Sequence, residues 1–445
     1  MFTKLSWLWD AIQSSLWFVP ALMAAGAVSM AFTSIWIDHN MLNGQQGDTI
    51  AMAYGGGVDG AREVLSTIAG AMITVAGVIF SITVVALTLA SQQFGPRLLR
   101  NFMRDRGNQV VLGTFLSIHL FCLIVLRAVR GENAGGFVPH LSVSIALGLA
   151  LTAAGVLIYF FNHATSSIRA SSVIAKVALE LDEAIDRLFP QSVKHPGPPL
   201  DFATPAPGLT ADDLGVKYMQ IESRKSGYLQ TIDTEALVSL AGRHDVTIRL
   251  ACRPGDFVTC ETTIATILSP ERASEDIIET VNEAFILGDE RTDVQDMIFP
   301  AQQLSEIAVR ALSPSMNDPF TALACIDRLG AAIIRLGRRQ TSSPYRYDDK
   351  CRLRLVIAPA SLAELITKTV GQIRQHGLSS ALVITRLLDT CTLVAPHMTD
   401  GDSLRALKQQ VDAIEEGHED ALPQKLDREN VQAKLVEVRA SFAQQ

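Results

Sequence analysis

An apolar stretch between Ala61 and Gln93 is long enough to cross a lipid bilayer as a single helix. Within it, small and hydroxyl-bearing residues recur at alternating steps of three and four, which places them on one helical face. We name this face the polar stripe, and its members are Thr67, Gly70, Thr74, Gly77, Ser81, Val84, Thr88 and Ser91. Such a stripe either packs closely against another helix or lines a water-filled path, and the function of the chain depends on which of the two it does.

The apolar residues of the chain are concentrated in its first third. Hydrophobic residues make up 48% of the 445 residues, and the mean hydropathy is positive, as in a membrane protein. Four segments each hold about the 20 apolar residues that a transmembrane helix needs. They are residues 16–37, 64–91, 110–129 and 141–162. We therefore predict a domain of four transmembrane helices over residues 1–165.

Basic residues near the ends of the spans predict the orientation of the chain. Four arginines crowd the loop between the second and third spans, whereas the long first loop, residues 38–60, has no lysine or arginine. Arg127 and Arg130, at the opposite end of the third span, weigh against this bias but are outnumbered. The positive-inside rule therefore predicts a multipass protein whose N- and C-termini are both cytosolic.

The part of the chain that follows the spans is acidic. Residues 1–165 hold 8 basic and 7 acidic side chains, which leaves 30 basic and 39 acidic side chains, a net charge of −9, for residues 166–445. Because an acidic surface repels nucleic acid, we expect no nucleic-acid partner. The six cysteines and nine histidines lack the spacing of a disulfide framework or a metal site, so we expect no metal and no cofactor.

Three regions are predicted after the spans. The fourth span is predicted to run on as a helix through Leu188, and a linker rich in proline and glycine follows it. The part of this helix after the membrane and the linker together occupy residues 166–212. A small β-rich module follows over residues 213–269, and residues 270–445 have helical patterns that predict a helical cytosolic domain. The strands of the module are predicted at residues 217–222, 228–232, 246–252, 257–260 and 263–268. The predicted fold class is a membrane domain of four transmembrane helices with an α+β cytosolic region.

Helix starts in the cytosolic region have recognisable caps. Asp233 is placed to cap a helix that closes at Gly242. Ser361 and Glu364 have the spacing of a capping box. In the segment Asn317-Asp318-Pro319, the aspartate is predicted to cap a helix that the proline opens.

Three stretches carry a resemblance to a known family. The first is Ser-Gln-Gln-Phe-Gly-Pro-Arg at residues 91–97, and the second pairs residues 226–230 with Pro-Gly-Asp-Phe-Val at residues 254–258. The third runs over residues 310–322 and includes Ser313, Pro314, Asn317, Asp318 and Pro319. In order along the chain, they resemble the bacterial predicted membrane proteins called domain of unknown function 2254 (DUF2254). The resemblance implies a bacterial inner-membrane protein with four spans and a cytosolic domain, and it implies no activity.

Two interpretations of the polar stripe stay open at the level of sequence. A packing seam inside the four-helix bundle explains small and hydroxyl residues fully. A pore shared by several copies also explains why the stripe lasts through the whole membrane and ends in polar groups, a break and a cationic rim. That predicted cytosolic mouth and hinge comprises Gln92, Gln93, Gly95, Pro96, Arg97, Arg100 and Arg104.

We therefore predict a homo-oligomeric channel in membrane lipid, with an ion as a possible permeant species. The alternative is a membrane-anchored scaffold or sensor whose cytosolic domain binds a protein or ligand. Two further features have simple structural explanations: mid-span His119 as a neutral imidazole bonded within the bundle, and the turn before Pro319 as a helix start. No phosphate-binding loop or nucleophile elbow is present in the sequence, so we expect no enzyme.

Overall fold

The computed structural model describes residues 17–42, 54–98, 105–131, 137–189, 218–268, 275–339, 343–398 and 400–443. Contacts divide the chain into an N-terminal unit, Met1–Ser172, and a C-terminal unit, Val173–Gln445. Several predicted features lie outside the described residues. They are Arg100, Arg104 and the proline-rich linker at residues 190–208.

The N-terminal unit contains four helices that are long and apolar enough to cross a membrane. They are α1 (Phe18–Ile37), α2 (Val58–Phe94), α3 (Arg106–Ala128) and α4 (His140–Ser167). Each matches one of the predicted spans, which confirms the fold class for this part of the chain. Helix α2 is the longest, because its 37 residues extend for about 55 Å at 1.5 Å per residue.

Helix α3 is the centre of the N-terminal unit and contacts the other three helices. In its most apolar window 50% of the residues are buried, whereas the corresponding share is 11% in α2. Large side chains meet around it, including Phe115 and Phe121 of α3, Leu65 of α2 and Phe160 of α4, all of them fully buried. In lipid, close packing of such side chains replaces the hydrophobic effect as the source of stability.

A carboxylate at the end of α1 closes the start of α4. Pro139 precedes α4 and has no side chain that caps it. Instead, the backbone N–H groups of Leu141 and Ser142 each donate to the Asp38 carboxylate at 3.0 Å, and the Ser142 hydroxyl donates to it at 2.7 Å. A negative charge at a helix N-terminus satisfies free N–H groups and complements the helix dipole. Asp38 is only 3% exposed, and sequence reasoning did not single it out.

The chain continues from α4 into α5 (Ala170–Leu188) through a short interruption. Sequence analysis predicted one continuous helix here, and that prediction was wrong at Ile168 and Arg169, which lie outside both helices. The hydroxyls of Ser166 and Ser167 donate back to the His163 carbonyl at 3.0 and 2.8 Å. Such bonds compete with the helical hydrogen-bond ladder and favour a break.

Two small sheets form the β part of the C-terminal unit. The five strands predicted from sequence are present as β1 (Tyr218–Glu222), β2 (Gly227–Ile232), β3 (Thr247–Leu250), β4 (Phe257–Val258) and β5 (Thr263–Leu268). Three later strands were missed: β6 (Phe285–Gly288), β7 (Tyr345–Tyr347) and β8 (Leu353–Val356). They lie within residues 270–445, where the overall sequence pattern is helical.

The strand order is β1-β5-β3-β8-β7 in the larger sheet and β4-β2-β6 in the smaller one. All pairs are antiparallel except β3 with β8. The expectation that everything after Ser269 is helical was therefore wrong, because distant segments add strands to both sheets. The separation of a β module from a helical domain stays a prediction.

Eight further helices complete the described part of the C-terminal unit. They are α6 (Thr234–His244), α7 (Glu275–Ala284), α8 (Ile298–Ala311), α9 (Pro319–Gly337), α10 (Leu362–Gly377), α11 (Ala381–Val394), α12 (Gly401–Ala421) and α13 (Lys425–Ala443). The cap at Asp233 is confirmed, since its side chain accepts from the Ala236 N–H at 3.1 Å. Helix α6 runs past Gly242 to His244, and Asp245 follows as its C-cap with a φ of 52°.

Candidate functional site

The polar stripe of α2 points away from α1, α3 and α4, the other spans that the structure describes. Its members from Thr67 to Thr88 are exposed in the single chain, and Ser91 is half-buried. The opposite face of α2 forms the seam with the bundle, and it is apolar: Leu65, Ile68, Ala69, Ala76 and Ile79 are buried there. The stripe is therefore not a packing seam inside the four-helix bundle.

Exposed apolar side chains flank the polar stripe on both sides. Val78, Val85 and Leu89 lie on one side of it, and Ile73 and Phe80 lie on the other, all between 42 and 58% exposed. The outward surface of α2 thus has a polar centre between two apolar borders. Apolar borders suit contact with lipid or with another helix, whereas the polar centre suits water.

Three of the five hydroxyls of the stripe are hydrogen-bonded within α2 itself. Thr74 donates to the Gly70 carbonyl at 2.8 Å, Ser81 to the Gly77 carbonyl at 2.9 Å, and Thr88 to the Val84 carbonyl at 2.9 Å. These bonds lower the cost of placing a hydroxyl among apolar groups, and each oxygen can still accept another hydrogen bond. A Cβ atom added at Gly70 or Gly77 meets nothing within 4 Å, so packing inside the chain does not require glycine at either position.

The predicted break at the end of the stripe is confirmed. Helix α2 ends at Phe94, and Gly95 follows with a φ of 110°, a conformation that favours glycine. Pro96 then opens a single 3-10 turn. Gln92 and Gln93 are exposed just before the break, as Arg97 is after it. The role of this break as a hinge stays a prediction.

His119 of α3 has the structural role that the simpler interpretation gives it. Its Nδ1 atom lies 2.9 Å from the Ala69 carbonyl oxygen of α2, so that nitrogen carries the proton and donates. The side chain is half-buried. The bond links two spans and needs no charged imidazole.

The turn before α9 is a helix start, as its simpler interpretation predicts. The Asp318 side chain accepts from the Thr321 N–H at 3.2 Å, and Pro319 is the first helical residue. Asn317, with a φ of 45°, directs the chain into this cap, while its N–H donates to the Ser313 carbonyl at 2.9 Å. Because a carboxylate already occupies the helix N-terminus, the turn is a poor site for an anion.

Sequence reasoning missed a cavity of about 260 Å³ in the C-terminal unit. We name it the basic cavity. Its walls come from six segments: the end of α5, residues 232–234 between β2 and α6, the turn at residues 253–256, the segment 291–298 that leads into α8, residue Arg346 of β7, and residues 357–368 at the start of α10. These segments are far apart in sequence, so only the folded chain brings them together.

One side of the basic cavity holds two cations around one carboxylate. Glu364 pairs with Arg253 and lies 2.6 Å from the Lys368 amine. Burial raises the pKa of Glu364, but these two cations lower it more, so it lies below its ordinary value. The predicted capping box is thus half correct, because Ser361 accepts from the Glu364 N–H at 3.1 Å while the Glu364 carboxylate turns to the cations.

Another side of the basic cavity is fixed by Asp296. This carboxylate is 4% exposed, accepts from Arg291 at 2.6 Å, and accepts from the Ile298 N–H at 3.0 Å at the start of α8. Burial raises the pKa of Asp296 more than Arg291 lowers it. The turn packs closely against this carboxylate: a Cβ added at Gly255, whose φ is 98°, would lie only 2.4 Å from an Asp296 oxygen.

Arg346 differs from the other cations of the basic cavity. Its guanidinium donates to the backbone carbonyls of Ser343 and Tyr345, and no carboxylate among the described residues pairs with it. The lining holds four basic side chains and three acidic ones, so it carries an excess of one positive charge. Leu188, Phe189 and Ile232 are among its apolar residues.

Comparison with known proteins agrees with this architecture. The family "Predicted membrane protein (DUF2254)" matches residues 13–392. The chain belongs to the DUF2254 family. Similar proteins include the uncharacterized proteins Mb1321c of Mycobacterium bovis and Rv1290c of Mycobacterium tuberculosis, each 32% identical over 422 residues, which cover 90% of this chain and 76% of theirs. No solved structure matches the chain.

In this DUF2254 protein, two of the stretches that carried the resemblance lie at the features described above. Residues 91–97 form the end of α2 and the break that follows it. Residues 254–256 line the basic cavity, and the adjoining β4 pairs with β2. Four apolar helices together with the family indicate a membrane protein.

Proposed function

We propose that this DUF2254 protein is a homo-oligomeric channel of the bacterial inner membrane. Helix α2 of each copy lines the pore, and the C-terminal unit regulates it from the cytosol. The observation that carries the proposal is the direction of the polar stripe, which faces away from the other three described spans. No enzymatic step is part of this proposal.

The argument starts from what can cover the outward face of α2. A face that is apolar throughout suits lipid, but this face has hydroxyls and glycines along its centre. Several copies arranged around an axis place these groups against shared water, while the apolar borders contact neighbouring copies. Each stripe hydroxyl then accepts a hydrogen bond from water in addition to its bond within α2.

A dry seam between copies is the competing explanation for the same face. It also calls for an oligomer, because α1, α3 and α4, the other spans that the structure describes, leave the stripe exposed. The two explanations differ in one property, which is whether water reaches Thr74, Ser81 and Thr88. Accessibility to an aqueous reagent therefore separates them.

Single cysteines along α2 test the proposal directly. We expect T74C, S81C and T88C to react with a membrane-impermeant thiol reagent at least about tenfold faster than the other positions, because thiolate forms where water is present. The matched controls are M72C and I79C, which face the bundle, and V78C and V85C, which lie on the apolar border. The background replaces the exposed native cysteines, Cys260 and Cys351, with serine.

Equal reactivity at all of these positions, or reaction at the border alone, contradicts a pore lined by α2. Reconstitution of the full chain into planar bilayers supplies the second measurement. Silence across voltage, membrane tension and pH contradicts the channel and favours the alternative, a membrane-anchored sensor. The basic cavity is the observation that supports a sensor.

A further inference from the structure

We infer that the basic cavity binds a small organic anion. Arg346 takes the acid group, a phosphate or a carboxylate, and the apolar wall formed by Leu188, Phe189 and Ile232 contacts the body of the molecule. The inference concerns the C-terminal unit alone and does not rest on the proposed pore.

The size of the basic cavity suits a small molecule. Its volume of about 260 Å³ is far larger than the roughly 10–15 Å³ that a single water molecule needs. It lies just below the range of about 300–1,000 Å³ that is typical of ligand pockets. The lining also has the usual composition of such a pocket, with apolar side chains and a few convergent polar groups.

Charge decides the kind of molecule. Each carboxylate of the cavity is already engaged: Glu364 with Arg253 and Lys368, Asp296 with Arg291, and Asp256 with the Arg253 N–H at 3.0 Å. Residues 166–445 as a whole carry a net charge of −9, so a local excess of positive charge does not follow from composition. An anion is favoured in this cavity, and a cation is not.

Arg346 is the group that an arriving anion meets. It is exposed on the edge strand β7, and its bonds within the chain go to carbonyls of its own segment. Donors of its guanidinium remain available in the planar fork that matches a phosphate or carboxylate. Arg354, nearby on β8, shows the contrast, because it is 3% exposed and pairs with Asp245 and Asp348.

The wall of the basic cavity connects a bound anion to helix α5. Leu188 and Phe189 at the end of α5 belong to the lining. Arg187 of the same helix donates to the carbonyls of Asp293 and Val294 at 2.6 and 2.9 Å, and the chain from there runs directly into the wall at residues 295–298. Occupancy therefore stabilises the end of the helix that follows the last transmembrane span.

Simple probes test the site in the full chain, embedded in lipid nanodiscs. Phenyl phosphate and benzoate carry an acid group on an apolar body, benzyl alcohol carries the body alone, and inorganic phosphate carries the acid alone. Saturation-transfer NMR measures their binding, and hydrogen exchange locates it. We expect both anions with a ring to bind more tightly than benzyl alcohol or inorganic phosphate, with protection in the peptides that cover residues 253–256, 357–368 and 180–189.

Variants of Arg346 distinguish binding in the basic cavity from a general effect of removing a positive charge. Arg346→Gln is expected to weaken binding of phenyl phosphate at least about tenfold, since it removes a charge-assisted hydrogen bond, and Arg346→Lys restores part of it. The matched control is Arg405→Gln on α12, where the exposed arginine pairs with Asp402 outside the cavity. An unchanged thermal unfolding midpoint shows that the variants fold.

Three results overturn the inference. Binding that is equal in Arg346→Gln and in the original chain removes the role of Arg346. Equal binding of benzyl alcohol and benzoate makes the cavity merely apolar, and protection confined to other peptides places the site elsewhere. These readouts measure binding and not current, so they fail or succeed independently of the channel.

Discussion

Helices α2 and α3 are both apolar enough to span a membrane, yet their surroundings differ. Helix α3 is covered by the other three helices, and its polar His119 finds a partner inside the bundle. Helix α2 packs against the bundle with only one face, and the other described spans leave its polar stripe exposed. The comparison teaches that an apolar sequence identifies a span, whereas only the packing shows which faces need a partner from outside the chain.

The largest expected effect separates the covered helix from the uncovered one. Phe121→Ala in α3 removes a fully buried ring and is expected to lower the free energy of unfolding by about 3 kcal/mol, because it leaves a cavity. The matched control is Phe80→Ala on the border of α2, which is 46% exposed and is expected to cost less than about 1 kcal/mol. Reversible unfolding in detergent measures both. Similar losses for the two variants contradict the contrast between the helices.

A smaller loss of stability is expected when the buried carboxylate of Asp38 is removed. Asp38→Ala leaves the N–H groups of Leu141 and Ser142 without their acceptor and is expected to cost about 1–2 kcal/mol. Asp59→Ala, at an exposed position in the first turn of α2, is expected to cost about 0.5 kcal/mol. The same unfolding measurement applies, and a larger loss for Asp59→Ala overturns the role given to Asp38.

The smallest expected effect is a dependence of stability on pH in the C-terminal unit, where the buried Arg354 pairs with Asp245 and Asp348. Hydrogen bonds from the Arg352 backbone and from Arg354 lower the pKa of Asp348 to about 2, from an ordinary value of 3.8. Since the folded pKa is depressed, the stabilisation is complete above about pH 4 and is lost as the pH falls through 2.

Asp348→Asn tests this dependence, because asparagine accepts the backbone bonds but does not titrate. Hydrogen exchange of the peptides around β7 and β8, measured from pH 5 to pH 2, is expected to accelerate more in the original chain than in the variant. A parallel acid response in the two proteins contradicts the low pKa of Asp348.

Sequence alone predicted the four spans, the first five strands and the caps at Asp233 and Asp318. Each depends on local features, such as a long apolar run, alternation or a cap residue beside a helix start. Strands β6, β7 and β8 were missed because they lie within residues 270–445, where the overall sequence pattern is helical. The break at Ile168 was missed because serine bonds to the backbone compete only weakly with a helical pattern.

The two candidate sites also differ in how far the sequence could predict them, because one lies on a single helix and the other is formed by distant segments. The polar stripe was visible from its spacing, since one helix contains all of it. Its outward direction was not, because that depends on which face of α2 the residues of α3 cover. The basic cavity was invisible, since Arg253 and Glu364 are 111 residues apart and only the fold brings them together.

The bonds inside α2 have a consequence for how copies come together. Thr74, Ser81 and Thr88 each donate to a carbonyl of their own helix, so these three donors need no acceptor on a neighbouring subunit. A newly inserted copy therefore persists alone in the bilayer with these three donors already satisfied. Assembly then becomes an equilibrium between subunits that are already folded, and the amount of protein in the membrane sets how far it proceeds.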